Sequence, residues 1–343
     1  MKDIKLALVG FGNVAQGFVQ ILAQDGERYA RDYGLCFHIN AIADPLKGTL
    51  FAPDGVPPAE LLAAMATPGG LSSLPYDHPT WDALEMIQIS PVDAVVELSY
   101  TNLQTGEPAT TYISEALSRK KHVVTTNKGP IALHYDTLTQ LARVHEVKLG
   151  VEGTVMSGTP TLRMGMHCML PAGVTRVQGI LNGTTNYILT QMESGMSYAD
   201  ALAEAQAQGY AEADPTGDVE GFDAAAKVAI LTRLVLGASV PLEQVERQGI
   251  TGVTVADIEQ AKAAHMHWKL IGSAEITPDG VKASVKPVCL PDSHPLARVS
   301  GATNAITFST AYLGEVTLIG PGAGRLQTGM AVIEDLIEIF KSQ

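Results

Sequence analysis

Along the first 150 residues, apolar positions gather into short runs separated by amphipathic stretches. Ile4–Val9, Phe37–Ala43, Val92–Leu98, His122–Thr126 and Lys148–Glu152 have the length and Val/Ile/Leu content of buried strands. Between them, apolar residues recur with helical spacing over Val14–Ala23, Pro108–Ser118 and Ile131–His145. A Gly- and Pro-rich region, Pro45–Pro79, carries one short helix near Ala59–Ala66. Strands alternating with helices of this length predict parallel βαβ units. After Glu152 the pattern changes. It predicts helices over Thr159–Leu170, Thr184–Glu193, Tyr198–Gln208, Gly221–Leu236 and Thr254–His265. It also predicts strands over Val174–Leu181, Lys269–Ile276, Val281–Val288, Ala305–Ser309 and Val316–Ile319. A last helix, Thr328–Phe340, follows the glycine loop Gly320–Gly324 and is expected to return to the first domain. The expected organisation is an α/β parallel-sheet domain, residues 1–150, completed by a C-terminal helix over 325–343. An α+β domain with more antiparallel character occupies 151–324.

The turn after the first strand sharpens this picture. Gly10-Phe11-Gly12-Asn13-Val14-Ala15 is a GxGxxA sequence between an apolar strand and a helix. Gly10 allows a tight turn, Gly12 lets backbone approach a pyrophosphate, and Ala15 keeps the helix close to the sheet. The start of the helix, with Asn13 and Val14, offers free amides and the positive end of its dipole. The first domain is therefore expected to be a Rossmann-type nucleotide-binding domain. Asp44 is the candidate for the adenosine ribose, although it follows Gly12 by 32 residues, more than the usual ~20. The excess is assigned to a helix-to-strand connection over Gln24–Leu35. Asp44 argues for NAD, Lys47 leaves NADP open, and a plain turn residue before Pro45 explains Asp44 equally well.

Composition sets the outer limits. The 343 residues carry 46% hydrophobic and 17% charged side chains, enough for about two domains with a substantial core. A net charge of −13 argues against nucleic acid or an anionic membrane as partner. Cys36, Cys168 and Cys289 are far apart and form neither metal-ligand spacing nor a disulfide framework, which suits a reducing compartment. The N-terminus does not have the pattern of a signal peptide, and no apolar run reaches about 18 residues. A cytoplasmic protein is expected.

Three segments carry candidate chemistry. Gly209–Lys227 packs Glu212, Asp214, Asp218, Glu220 and Asp223 together and then sets Lys227 one helical turn after Asp223, ahead of an apolar run. A lysine at the mouth of a buried helix, facing carboxylates, suits amine recognition or proton transfer. A surface salt bridge explains the same spacing. Lys128, in Val123–Ala132, follows a parallel strand at the edge where α/β sheets bind ligands. A solvated loop lysine is its plain alternative. In Gly179–Met192 a strand ends at Asn182-Gly183 and a helix opens at Thr184-Thr185, where amides and hydroxyls suit a carboxylate or simply cap the helix.

Taken in order, GFGNVAQG, VVELSYTN with TGEPA, VVTTNKGP, VEGTVMSGTP, GILNGTTNYIL, GYAEADPTGDVEGFDAAAK, NAITF and GPGAG resemble the homoserine dehydrogenases over nearly the whole chain. The resemblance implies reversible NAD(P)-dependent interconversion of L-homoserine and L-aspartate 4-semialdehyde, in threonine, methionine and isoleucine biosynthesis. It implies Lys227 as acid/base and Lys128 beside cofactor and substrate. Glu212, Asp218, Asp223 and Thr184 become substrate ligands, with Asp223 on the amino group. Gly10, Gly12, Asn13, Val14, Asp44, Lys128, Gly324 and Ser99 or Thr101 become cofactor contacts. A monovalent cation, Na+, would be held by backbone carbonyls in the segment of Glu152, Val155, Ser157 and Thr159, where Met156 and Ser157 stand in place of smaller residues. The family is commonly dimeric through its second domain, so a homodimer is implied, in a short form without a C-terminal regulatory domain. Tyr100 is bulkier than the family pattern leads one to expect.

Other readings remain at this stage. One is a dehydrogenase of a related amino acid or semialdehyde. A phosphorylating aldehyde dehydrogenase would need a nucleophilic cysteine, and Cys168 lies in an apolar helical pattern that reads as core. A dinucleotide-sensing regulator would want a basic helix-turn-helix, which the sequence lacks. An inactive scaffold would not need Lys227, Asp223 and Glu212 together.

Overall fold

The computed structural model describes residues 1–341. The chain divides into two compact units, Met1–Gly158 together with the described residues from Gly324 on, and Thr159–Ala323. The change of unit thus falls later than residue 150.

The first unit is built on six strands: β1 (Lys2–Val9), β2 (Leu35–Asp44), β3 (Gly48–Val56), β4 (Ala94–Glu97), β5 (His122–Thr125) and β6 (Leu149–Gly150). Their order is β3-β2-β1-β4-β5-β6, parallel except for the β2–β3 hairpin. Chain order reverses between β1 and β4, so the carboxyl ends of those two strands form a topological switch point, where such sheets bind ligands. Ile4, Leu6 and Leu8 of β1 and Val96 of β4 form a core with Phe18 and Val19 of the first helix. Val332, Ile333, Leu336 and Phe340 of the C-terminal helix, Arg325–Lys341, belong to the same core. Two glycines allow that contact. A Cβ at Gly17 would collide with the Arg325 carbonyl, and one at Gly329 would sit 2.5 Å from the Phe18 amide nitrogen.

Several elements differ from the sequence pattern. The first helix runs over Asn13–Tyr33, so Gln24–Leu35 is not a loose connection. Tyr29, seven residues past Leu22, is buried and keeps the inner face continuous while polar residues cover the outer one. The helix stops at Gly34, in the left-handed conformation at φ 73°. β3 and the helix Ala83–Ile89 were not legible as periodic runs. β3 includes Pro53 and Gly55 and is held by pairing with β2. The helix is fixed by a capping box between Asp82 and Glu85.

The second unit carries β7 (Val174–Ile180), β8 (Glu246–Arg247), β9 (Met266–Thr277), β10 (Gly280–Pro291), β11 (Thr303–Thr310) and β12 (Gly314–Pro321). Their order is β12-β11-β7-β9-β10-β8, antiparallel except where β8 meets β10. The expected helix over Thr159–Leu170 is broken. One α-turn at Thr161–Arg163 passes into a π-helical stretch, Met164–Met169, and then a 3₁₀ turn. The wider π-turn shifts the register, and Cys168 is exposed rather than part of the core. Among the described residues, no helix is long and apolar enough to cross a membrane.

Candidate functional site

In the second unit, two segments distant in sequence meet around Asn182. β7 delivers Leu181 and Asn182 to the start of the helix Gly183–Glu193. Asn182 caps this helix through its side-chain oxygen, which accepts from the Thr185 amide at 2.9 Å. Its amide nitrogen donates to Asp218 Oδ1 at 2.7 Å and to Asp223 Oδ2 at 3.0 Å. Lys227 Nζ donates to the same Asp223 oxygen at 2.7 Å and to the Leu181 carbonyl at 2.6 Å. Lys227 is only 7% exposed, so this i,i+4 pair is not a solvated surface bridge. An ammonium has three donors, and two are engaged here. The third is left for a bound oxygen.

Asp223 sits in the first turn of the helix Phe222–Val235, which opens at Gly221 with φ 80°. Asp218 lies in the short preceding helix Thr216–Val219. Burial and the neighbouring Asp223 push the Asp218 carboxyl above its ordinary value, and Asn182, Lys227 and Thr184 only partly offset them. The folded protein therefore holds this proton more tightly than the unfolded chain does. The resulting stability is present below an unfolded pKa of ~3.9 and is lost as pH rises through the folded value. Asp218→Asn should then raise the melting temperature at pH 7, with the gap to wild type closing toward pH 4. A lower melting temperature at pH 7 would mean that the carboxylate stabilises the fold.

Thr184 is buried and donates to the Tyr210 carbonyl at 2.6 Å. The cap serves Thr185, so the amides of Gly183 and Thr184 at the helix start remain available to an anionic group. Glu212 stands apart. Its carbonyl accepts from Gln206 at 3.0 Å, its side chain is exposed, and its carboxylate bonds to none of Lys227, Asp218 or Asp223. Asn182 was legible in the sequence only as the end of a strand. The pairing of its amide with two carboxylates requires the tertiary fold.

The first unit carries the glycine turn. Gly10 follows β1 with φ 86°, and a Cβ there would lie 2.6 Å from the Leu98 carbonyl. Gly12 caps the first helix without any side-chain acceptor, and nothing lies within 4 Å of the place a Cβ would occupy. The amides of Asn13 and Val14 begin that helix. This is an open cradle that fits a pyrophosphate. Asp44 ends β2, with Oδ2 accepting from the Phe11 amide at 2.7 Å and Oδ1 from the Leu46 and Lys47 amides at 2.9 Å each. Its carboxylate thus braces the glycine turn as well as its own turn, and Lys47 Nζ lies 3.8 Å away.

At the ends of β4 and β5 the organiser is Glu97, fully buried. It accepts from the Ser99 amide at 2.8 Å, from the Ser99 hydroxyl, and from Thr125 Oγ1 at 2.8 Å. Asn127 donates to the Tyr100 carbonyl at 3.2 Å and caps the helix that Lys128 opens. Ser99, Thr101 and Lys128 are thereby gathered at one sheet edge, while Tyr100 points into solvent at 85% exposure. Sequence reasoning missed Glu97, whose only signal was a carboxylate ending an apolar strand. Gly324 precedes the C-terminal helix with φ 138°. Glu152, Val155 and Ser157 fall in the first unit, and Thr159 opens the second. Met156 and Ser157 both take positive φ, 57° and 58°. Ser157 Oγ lies 2.7 Å from Thr328 Oγ1.

Comparison with known proteins covers both units. A family model described as homoserine dehydrogenase matches residues 160–337, and one described as homoserine dehydrogenase, NAD binding domain, matches residues 10–152. The chain is 44% identical to an NAD(+)-dependent homoserine dehydrogenase of Pseudomonas canavaninivorans, over 100% of this chain and 97% of that protein. A homoserine dehydrogenase structure from Thiobacillus denitrificans superposes with a TM-score of 0.86 at 32% identity, covering 99% of this chain and 74% of that one. A hyperthermophilic archaeal homoserine dehydrogenase in complex with NADPH also gives a TM-score of 0.86, at 29% identity, covering 100% and 99%.

Proposed function

The chain belongs to the homoserine dehydrogenase family, and we propose that its reaction, NAD(P)-dependent interconversion of L-homoserine and L-aspartate 4-semialdehyde, is carried by Lys227. The observation behind this is a buried ammonium fixed by Leu181 and Asp223 with one donor left. In the oxidative direction, Lys227 in its amine form accepts the hydroxyl proton of homoserine as the carbon loses hydride. In reduction, the ammonium returns that proton to the forming alkoxide. Bound NAD(P)+ supplies the hydride acceptor, a role no side chain of this chain can fill. Asp223 and Asp218 hold the substrate ammonium. The Gly183 and Thr184 amides suit its carboxylate. Glu212, two residues from the Tyr210 carbonyl that fixes Thr184, is assigned to the substrate as well. Purified protein should reduce both NAD and NADP with homoserine, followed by nicotinamide absorbance. No cofactor reduction, alongside turnover of another amino alcohol, would overturn the substrate.

The cofactor cradle is assigned to Gly10, Gly12, Asn13, Val14 and Gly324, with Ser99, Thr101 and Lys128 toward the nicotinamide end. For the ribose, Asp44 is the candidate. Because it also holds the Phe11 amide, Asp44→Ala should weaken both cofactors, and NAD more than NADP. Equal losses in KM would reduce Asp44 to a turn brace.

We further assign a cytoplasmic homodimer and a monovalent cation. Exposed Ile276, Tyr312, Leu313 and Ile319 of the second unit favour self-association. Sedimentation equilibrium should give twice the chain mass, and a monomer at micromolar concentration would refute it. The carbonyls of Glu152, Val155, Ser157 and Thr159 are hard oxygen donors of the kind Na+ takes. Those of Val155 and Ser157 fit best, because the Thr159 carbonyl already accepts from Thr161 at 2.6 Å. Replacing Na+ by choline should lower activity, and an unchanged rate would count against the site.

A further inference from the structure

The far end of the helix Gly183–Glu193 borders a cavity of about 530 Å³ that takes no part in the chemistry above. The helix spans 11 residues, about 16 Å at 1.5 Å per residue, with Asn182 at one end and Glu193 at the other. Thr190, Glu193, Lys262, His267, Lys269 and Arg298 are among the residues that line the cavity.

Two of these groups are incompletely satisfied, with opposite chemistry. Lys269, near the start of β9, is 1% exposed and donates only to the Val299 carbonyl at 2.9 Å. Among the described residues, no carboxylate lies within ion-pair distance of it, and a buried charge without a counter-ion is costly. Glu193 Oε1 is a buried acceptor with no hydrogen-bond partner, whereas Oε2 faces His267 Nδ1 at 3.2 Å. The other carboxylate of the wall, Asp292, is committed to His267 Nε2 at 2.7 Å and Arg298 at 3.2 Å. The second lysine, Lys262, reaches only the Glu193 carbonyl, at 3.5 Å. The cavity thus holds an under-used buried cation and an unpaired buried acceptor, under a mouth carrying more positive than negative groups.

We propose that this cavity binds a small carboxylate that carries its own N–H or O–H donor, with its carboxylate on Lys269 and its donor on Glu193 Oε1. An α-amino acid and an α-hydroxy acid share this chemistry. The loop that carries Val299 also holds the catalytic helix: Asn186, one turn after Asn182, donates to the Val299 and Gly301 carbonyls at 3.2 and 2.9 Å. Occupancy of the cavity therefore bears on the loop that supports both Lys269 and that helix.

The test is calorimetric titration of the full chain, saturated with NAD, with L-aspartate, L-malate and succinate. An Asp223→Ala background removes the proposed substrate ammonium site. One ligand should bind per chain. Succinate, which lacks the donor, should bind at least about tenfold more weakly than the better of the other two, the scale of a hydrogen bond to a charged group. Tighter binding of aspartate identifies an ammonium donor, and tighter binding of malate a hydroxyl. Lys269→Met should abolish binding while leaving the KM for NAD in the Asp223-intact protein unchanged. Should that variant fail to fold, Glu193→Gln should weaken aspartate about tenfold, the charge-assisted contact being lost. Absence of saturable binding, equal binding of succinate, or binding unaffected by either substitution would each overturn the proposal.

Discussion

Lys227→Ala should lower turnover by roughly 10²–10⁴-fold while leaving cofactor affinity nearly unchanged. The loss should appear in the chemical step, as slower hydride transfer in single-turnover experiments. Lys227→Arg should not restore it. A guanidinium stays protonated near neutral pH and cannot take the substrate proton. It is also planar and longer, and would not fit between the Leu181 carbonyl and Asp223, which approach Nζ at 2.6 and 2.7 Å. If Lys227→Ala kept near-wild-type turnover, the lysine would be a structural partner of Asp223. Lys128 would then become the leading acid/base candidate.

Asp223→Ala should act mainly through the substrate. One oxygen of this carboxylate accepts from both Asn182 and Lys227, and the same carboxylate is proposed to take the substrate ammonium. Truncating one partner of a buried, hydrogen-bonded charge pair costs about 2–5 kcal/mol, roughly 30-fold to several thousand-fold. The homoserine KM should rise within that range. A smaller fall in kcat should accompany it, because Lys227 would keep only the Leu181 carbonyl. An unchanged KM with a collapsed kcat would make Asp223 a holder of Lys227 and leave the ammonium to Asp218. Steady-state kinetics over a wide homoserine range separates the two outcomes.

The sequence made some of this arrangement readable because the relevant signals are local. Gly10 and Gly12 follow an apolar strand directly, and Asp223 and Lys227 share a helix face by spacing alone. Other parts depend on partners distant in sequence. Asn182 is legible as the end of a strand, but its grip on Asp218 and Asp223 exists only once the 214–227 segment folds back. Glu97 gains meaning when Ser99 and Thr125 converge on it. β3 contains Pro53 and Gly55, which disfavour a strand locally, and is held by tertiary pairing. Cys168 follows a helical apolar pattern, but the π-turn inserts an extra residue per turn and rotates it outward. Glu212 shares the acidic segment with Asp218 and Asp223, yet its side chain is exposed.

The glycine contacts between the first and last helices of the first unit bear on how the protein is made. Residues 1–158 leave the ribosome long before residues 325–341, with the whole second unit emerging in between. Until then the sheet face meant for Val332, Ile333 and Phe340 stays open, and the Gly17 notch has no occupant. The nucleotide cradle therefore belongs to a nascent body that closes only once residues 325–341 have emerged. A truncated chain would expose a sticky apolar face, an invitation to chaperones and proteases rather than to cofactor.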